Sequence, residues 1–157
     1  MTTVFKVSGG GNDFLALAAP EREPSADEIR SWCARGLSFG ADGLFTLHRV
    51  EAGGVRMRYW NADGLPAALC INGTRCASRL ALHLGWSKAS FPVTTDAGTF
   101  AARAVAPTEI ALQLPAPEQH DGLADGVDAA AGAERDRVDQ PQEVVGELGV
   151  LLEHALD

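Results

Sequence analysis

Three glycine-bearing turns, Gly9-Gly10-Gly11-Asn12-Asp13, Glu51-Ala-Gly-Gly54 and Asp96-Ala-Gly98, constrain this chain more than any other feature. Each separates two short strand-like runs: Val4–Val7 from Phe14–Leu17, Leu44–Val50 from Val55–Trp60, and Phe91–Thr95 from Phe100–Val105. A tight turn between two such runs joins neighbouring antiparallel strands, because a parallel pair needs a long crossover. Ile110–Leu114 alternates apolar and polar residues and reads as a further strand. The expected fold class is α+β: a mostly antiparallel sheet wrapped around a central helix.

Two segments carry helix signals. Ser25-Ala-Asp-Glu28 is a capping box, in which the Ser25 hydroxyl accepts from the Glu28 N–H while the Glu28 carboxylate reaches back. It predicts a helix from there to about Arg35, stopped by Gly36. A second helix is predicted to begin just after Asn72-Gly73 and to run through Arg79 to Leu84, with Gly85 as its stop.

The chain changes character near Pro115-Ala-Pro117. All ten aromatic residues lie before residue 101. Residues 1–117 hold eleven Lys/Arg against ten Asp/Glu, whereas 118–157 hold two against eleven. Two regions follow: a folded lobe over 1–117 and an acidic, aromatic-free tail over 118–157. Such composition opposes a packed core, so the tail is expected to be poorly ordered, or at most a loose helix over Val144–Leu156. The abrupt shift also suggests a frameshifted or truncated gene. Neither region has a basic stripe, which excludes a nucleic-acid partner. No apolar run is long enough to span a bilayer, and the N-terminus lacks a secretory layout, so a cytoplasmic, non-membrane protein is expected.

The cysteines are Cys33, Cys70 and Cys76, too few and odd in number for a disulfide framework. Cys70 precedes Asn72-Gly73 and the second helix. Free N–H groups and the helix dipole favour negative charge there, either on the sulfur or on a bound carboxylate. A thiolate beside a bound α-carboxylate can remove an α-proton, and the same donors stabilise the enediolate-like charge that develops. On spacing alone, a small buried hydrophobe at a loop–helix junction is the better reading of Cys70. Cys76 and Cys33 read as core. Cys70 and Cys76 have no His or carboxylate near them, which opposes a metal site. The glycines at 9–11 lack the Lys and Ser/Thr of a phosphate loop and read as a turn. Asn12 and Asn61 adjoin turns, where asparagine is common for local reasons.

Taken together, Phe5-Lys-Val-Ser-Gly-Gly-Gly-Asn-Asp-Phe14, Gly40-Ala-Asp-Gly-Leu44, Asn61-Ala-Asp-Gly64, Cys70-Ile-Asn-Gly-Thr-Arg-Cys76 and Thr94-Thr-Asp-Ala-Gly98 tip the balance. In order and spacing they resemble the diaminopimelate epimerases over residues 4–114. The resemblance implies one lobe of a two-lobed fold, with substrate bound between the lobes. It implies two cysteines, one per lobe, working on opposite faces of an amino acid's α-carbon without pyridoxal phosphate, metal or other cofactor. Cys70 matches the first-lobe cysteine. Asn12 and Asn61 match substrate-contacting asparagines, and Ile71 and Asn72 match the pair whose N–H groups hold the α-carboxylate. The implied partner is a small-molecule amino acid, most naturally LL-2,6-diaminopimelate on the way to lysine and peptidoglycan precursors. The only lysines, Lys6 and Lys88, lie outside the Cys70 segment.

Two departures stand out. The family places glycine after its cysteine, and here a β-branched Ile71 follows, which resists positive φ. No cysteine follows Cys76, so the chain alone is expected to have little or no epimerase activity. The apolar face of a single lobe could instead meet a second copy in a homodimer. A one-cysteine lyase or isomerase, and a non-catalytic binding module, are the competing readings.

Overall fold

A computed structural model describes residues 2–115, 142–147 and 152–156. Its strands are β1 (Thr2–Gly9), β2 (Asn12–Ala18), β3 (Gly43–Arg49), β4 (Val55–Asn61), β5 (Pro66–Ala67), β6 (Ser90–Thr95), β7 (Gly98–Ala106), β8 (Glu109–Leu114), β9 (Gln142–Glu147) and β10 (Leu152–Leu156). The helices are α1 (Ala26–Cys33) and α2 (Ile71–His83). One sheet runs in the order β10-β1-β2-β3-β4-β6-β7-β8-β9, with the short β5 on β4. The three expected hairpins are present, and β7–β8 adds a fourth. Two junctions, β2–β3 and β4–β6, are parallel; α1 lies in the first connection, β5 and α2 in the second.

Alternation along the strands gives the sheet two buried faces, since successive side chains point to opposite sides. Phe5, Phe14, Phe45, Met57 and Tyr59 face one way and pack on Cys76, Ala77, Leu80 and Ala81 of α2. Val4, Leu15, Leu44 and Trp60 face the other way and pack on Ile29 and Cys33 of α1. Helix α2 meets β1, β2, β3, β4, β7 and β8, so the sheet curls around it as a central helix. Small residues along α2, among them Gly73, Ala77 and Ala81, allow that close approach.

Three local expectations need correcting. Helix α2 begins at Ile71, ahead of Asn72-Gly73, because Cys70 itself serves as its N-cap. Helix α1 ends at Cys33, with Ala34 already extended. Within the Val144–Leu156 run the described residues form strands and not a loose helix: β9 pairs with β8, and β10 pairs with β1. Helical spacing was outweighed by two strand edges whose N–H and C=O groups would otherwise lack partners, and Val144-Val145 suits a strand. Residues 116–141 of the acidic region lie outside the described residues.

Candidate active site

The parallel β2–β3 pair and the antiparallel β3–β4 pair bring three chain segments to one end of the sheet. The start of β2 (Asn12), the start of β3 (Asp42-Gly43) and the end of β4 (Asn61) lie there side by side, with Phe14 opposite Gly43 and Gly43 opposite Asn61. The N-terminus of α2 is held against the same end by hydrogen bonds from Asn72. One runs to the Gly10 carbonyl (3.1 Å) and one to Asn12 Oδ1 (2.8 Å).

Cys70 is extended, and its Sγ accepts from the Gly73 N–H at 3.4 Å. The Thr74 N–H returns to the Cys70 carbonyl as a normal helical bond. The two remaining first-turn donors, the N–H groups of Ile71 and Asn72, have no helical carbonyl behind them, and no acidic residue occupies that turn. These are the two donors expected from the sequence. Ile71 takes ordinary helical backbone; among the described residues the only non-glycine with positive φ is Ala19. The β-branched side chain therefore strains nothing, and it packs against the main core. Gly73 does matter: a Cβ there would sit 3.3 Å from Met57 and 3.4 Å from Cys70 Sγ.

The cysteines divide cleanly. Cys33 and Cys76 are buried, and burial pushes their thiols up to about 11 and about 12. Cys70 is half-buried. It lines a crevice too tight to admit a water molecule, together with Met57, Tyr59, Leu69, Thr74 and Thr95.

The asparagines play different parts. Asn72 spends both side-chain N–H groups on the β1–β2 turn, and its Oδ1 accepts from Arg75 at 2.7 Å, so only its backbone N–H remains to offer. Asn12 donates one N–H to Asp42 (3.0 Å) and keeps the other. Asn61 does not join this chain of amides. Its Oδ1 accepts from the Tyr59 hydroxyl at 3.1 Å, which turns its amide nitrogen away from Tyr59. Burial first, then the Cys70 sulfur beside it, push the Tyr59 hydroxyl far above its usual range, so it remains an O–H donor.

Behind the site lies an ion cluster. Asp13 pairs with Lys6 (2.7 Å) and Arg35 (2.5 Å), and Arg35 also reaches Asp42 (2.9 Å). The Arg35 guanidinium is the largest cause holding Asp13 well below the usual carboxylate range; burial opposes it and Lys6 adds to it. Asp42 is lowered by the Asn12 amide first and by Arg35 after the opposing burial, so it stays an acceptor. Sequence reasoning missed Tyr59, Arg75 and Asp42 as members of the site. Asp42 and Arg75 lay inside quoted motifs; Tyr59 carried no signal beyond its place in β4. No group of three or more His, Cys, Asp or Glu suited to a metal occurs among the described residues.

Residues 4–113 match the family model for diaminopimelate epimerase. The chain belongs to the diaminopimelate epimerase family. A diaminopimelate epimerase of Chlorobaculum tepidum is 34% identical over 125 residues, covering 76% of this chain and 49% of that protein. One from Archaeoglobus fulgidus is 37% identical over 98 residues, covering 59% and 35%. This family member thus spans about half the length, or less, of these relatives. Among solved structures, a phenazine biosynthesis protein of the PhzF family from Bacillus anthracis superposes with a TM-score of 0.57 at 20% identity, covering 74% of this chain and 42% of that one. A hydroxyproline epimerase from Agrobacterium vitis, with bound trans-4-hydroxy-L-proline, gives 0.54 at 12% identity, covering 72% and 41%. At these identities the likeness concerns the fold, a mixed sheet curled around a helix. No helix among the described residues is long and apolar enough to cross a membrane.

Proposed function

We propose that this chain supplies one half of a cytoplasmic amino-acid epimerase acting on LL-2,6-diaminopimelate, with Cys70 as the base on one face of the α-carbon. The observation that carries this reading is the cap of α2. A half-buried sulfur stands directly before two free N–H groups, while the other two thiols are buried. The N–H groups of Ile71 and Asn72 would hold the α-carboxylate. The Cys70 thiolate would take the α-proton, and the C–H electron pair would pass into the carboxylate as an enediolate held by the same donors. Asn12, through its remaining N–H, and Asn61, through its amide nitrogen, would contact the amino acid. No step in this scheme calls for an organic cofactor or a metal.

Epimerisation needs a second acid on the opposite face, from a second lobe or a second copy of the chain. One cysteine alone suffices to exchange the α-hydrogen: the thiol formed by abstraction swaps its proton with solvent and returns it to the same face. Incubating LL-diaminopimelate with the chain in heavy water is therefore expected to place deuterium at the α-carbon, read by mass spectrometry. Cys70→Ser should lower that rate by roughly 100- to 10,000-fold. Exchange that survives the substitution would remove Cys70 from the reaction.

A further inference from the structure

Arg75 is an oddity in α2. It is 4% exposed, and no carboxylate pairs with it among the described residues. Its Nε is buried without a partner. It also places a cation near the positive end of a helix. Burying an unpaired charge is costly, so this guanidinium does not earn its place by stabilising the fold.

The one side-chain hydrogen bond it makes among the described residues explains it. Arginine has donors only, so the atom of Asn72 that faces it must be Oδ1. Asn72 then turns Nδ2 toward Gly10 and Asn12, and the Asn12 atom that receives it must be Oδ1. Asn12 Nδ2 is thereby turned to Asp42, whose carboxylate only accepts. A donor-only end and an acceptor-only end fix the polarity of both amides between them. The turn is clamped on the same groups: a Cβ on Gly10 would lie 2.3 Å from Asn72 Oδ1 and 2.7 Å from the Arg75 guanidinium.

We propose that Arg75 is a positioning residue: through Asn72 it sets which atoms Asn12 presents at the α2 N-terminus and holds the β1–β2 turn there. Its bearing on the reaction rests on the functional reading above. Its structural content does not, and the two can fail separately.

The test uses the full chain, labelled with ¹⁵N, as wild type, Arg75→Met and Arg75→Lys. NMR follows hydrogen exchange of the Asn12 and Asn72 side-chain amides, and thermal unfolding follows the fold. Arg75→Met is expected to keep or raise Tm, since an apolar residue replaces a buried unpaired charge. The Asn72 amide protons should nevertheless exchange about tenfold faster, reflecting one lost charge-assisted bond. Arg75→Lys, still a donor without acceptors, should fall between the two. Unchanged amide signals in Arg75→Met would overturn the proposal. So would loss of the fold in that variant, or exchange that tracks Tm across all three proteins, because either makes Arg75 merely structural. Failure of wild type to deuterate diaminopimelate would sink the functional reading and leave the amide result standing.

Discussion

The two helices open in the same way and finish the job differently. Each is capped by a side chain that accepts from the backbone N–H three residues on: Ser25 Oγ from Glu28 at 3.3 Å, and Cys70 Sγ from Gly73 at 3.4 Å. In α1 the box is closed. Glu28 reaches back to the Ser25 N–H (2.7 Å), Arg22 braces Glu28 at 2.9 and 2.6 Å, and Asp27 adds a second negative charge to the first turn. In α2 there is no acid in the first turn and the acceptor is sulfur, a weaker hydrogen-bond partner than oxygen. Both helices leave the N–H groups of their first two residues without a helical carbonyl; in α1 two acids offset that positive end, whereas in α2 nothing does and it is left to a ligand. The contrast teaches that an unfinished cap, more than a cysteine as such, marks the site.

The largest expected effect concerns the sulfurs on these helices. Cys33 ends α1 and Cys76 lies within α2, and desolvation raises both from 9.0, to about 11 and about 12. At one unit per tenfold, their thiolate populations fall about a hundredfold and a thousandfold below that of an ordinary thiol. Iodoacetamide at neutral pH should therefore modify Cys70 first, with Cys33 and Cys76 labelled only as the fold opens. Peptide mass spectrometry reads the order. Equal labelling of all three in the folded chain would erase the distinction between the open cap and the buried thiols.

Much of this architecture could be read from the residues. The hairpins followed from their turns, and α1 followed from Ser25 and Glu28, because these signals are local and the partner residue lies within a few positions. The start of α2 was misplaced because Asn72-Gly73 reads as a turn in isolation; only the folded chain shows Cys70 capping a helix already under way. The strands over 142–147 and 152–156 were missed for a related reason. Their partners, β8 and β1, supply the hydrogen bonds, and no pattern within the segment announces an edge elsewhere. Site chemistry followed the same division. Cys70, Ile71 and Asn72 were legible as neighbours in sequence, whereas the Arg75–Asn72–Asn12–Asp42 relay joins three segments and exists only in the folded chain.

The turn that closes over α2 gives the next effect in size. Gly10 (φ +62°) and Gly11 (φ +85°) are both left-handed, but only Gly10 lies against α2. Gly11 has open space where a Cβ would go. Alanine at either position meets backbone strain of roughly 1–3 kcal/mol. Gly10→Ala must also push Asn72 aside. Urea unfolding should therefore rank Gly10→Ala below Gly11→Ala, and Gly10→Ala should also loosen the Asn12 and Asn72 amides. Equal costs would mean the turn does not bear on the open cap.

The smallest effect tests the closed cap. Ser25→Ala should cost α1 about 1 kcal/mol, as for other N-cap serines, and most of that loss should be independent of pH, because the hydroxyl does not titrate in the working range and is a lesser cause of the Glu28 shift. The Glu28 half behaves otherwise. Arg22 first, and then the Ser25 N–H, lower its carboxyl from 4.5 to about 2. A depressed carboxylate contributes stability above its unfolded value and loses it as pH falls through the folded one. The difference in Tm between wild type and Glu28→Gln should thus be steady near neutral pH, shrink from about pH 4.5 downward and vanish near pH 2. Glutamine can still accept from Ser25, so the pH-dependent part isolates the charge on a largely solvated pair, where ion pairs contribute little. A difference that grew on acidification would have the wrong sign for a charge held by Arg22. A difference that did not change with pH would mean that the closed cap owes its closure to the neutral hydrogen bond alone.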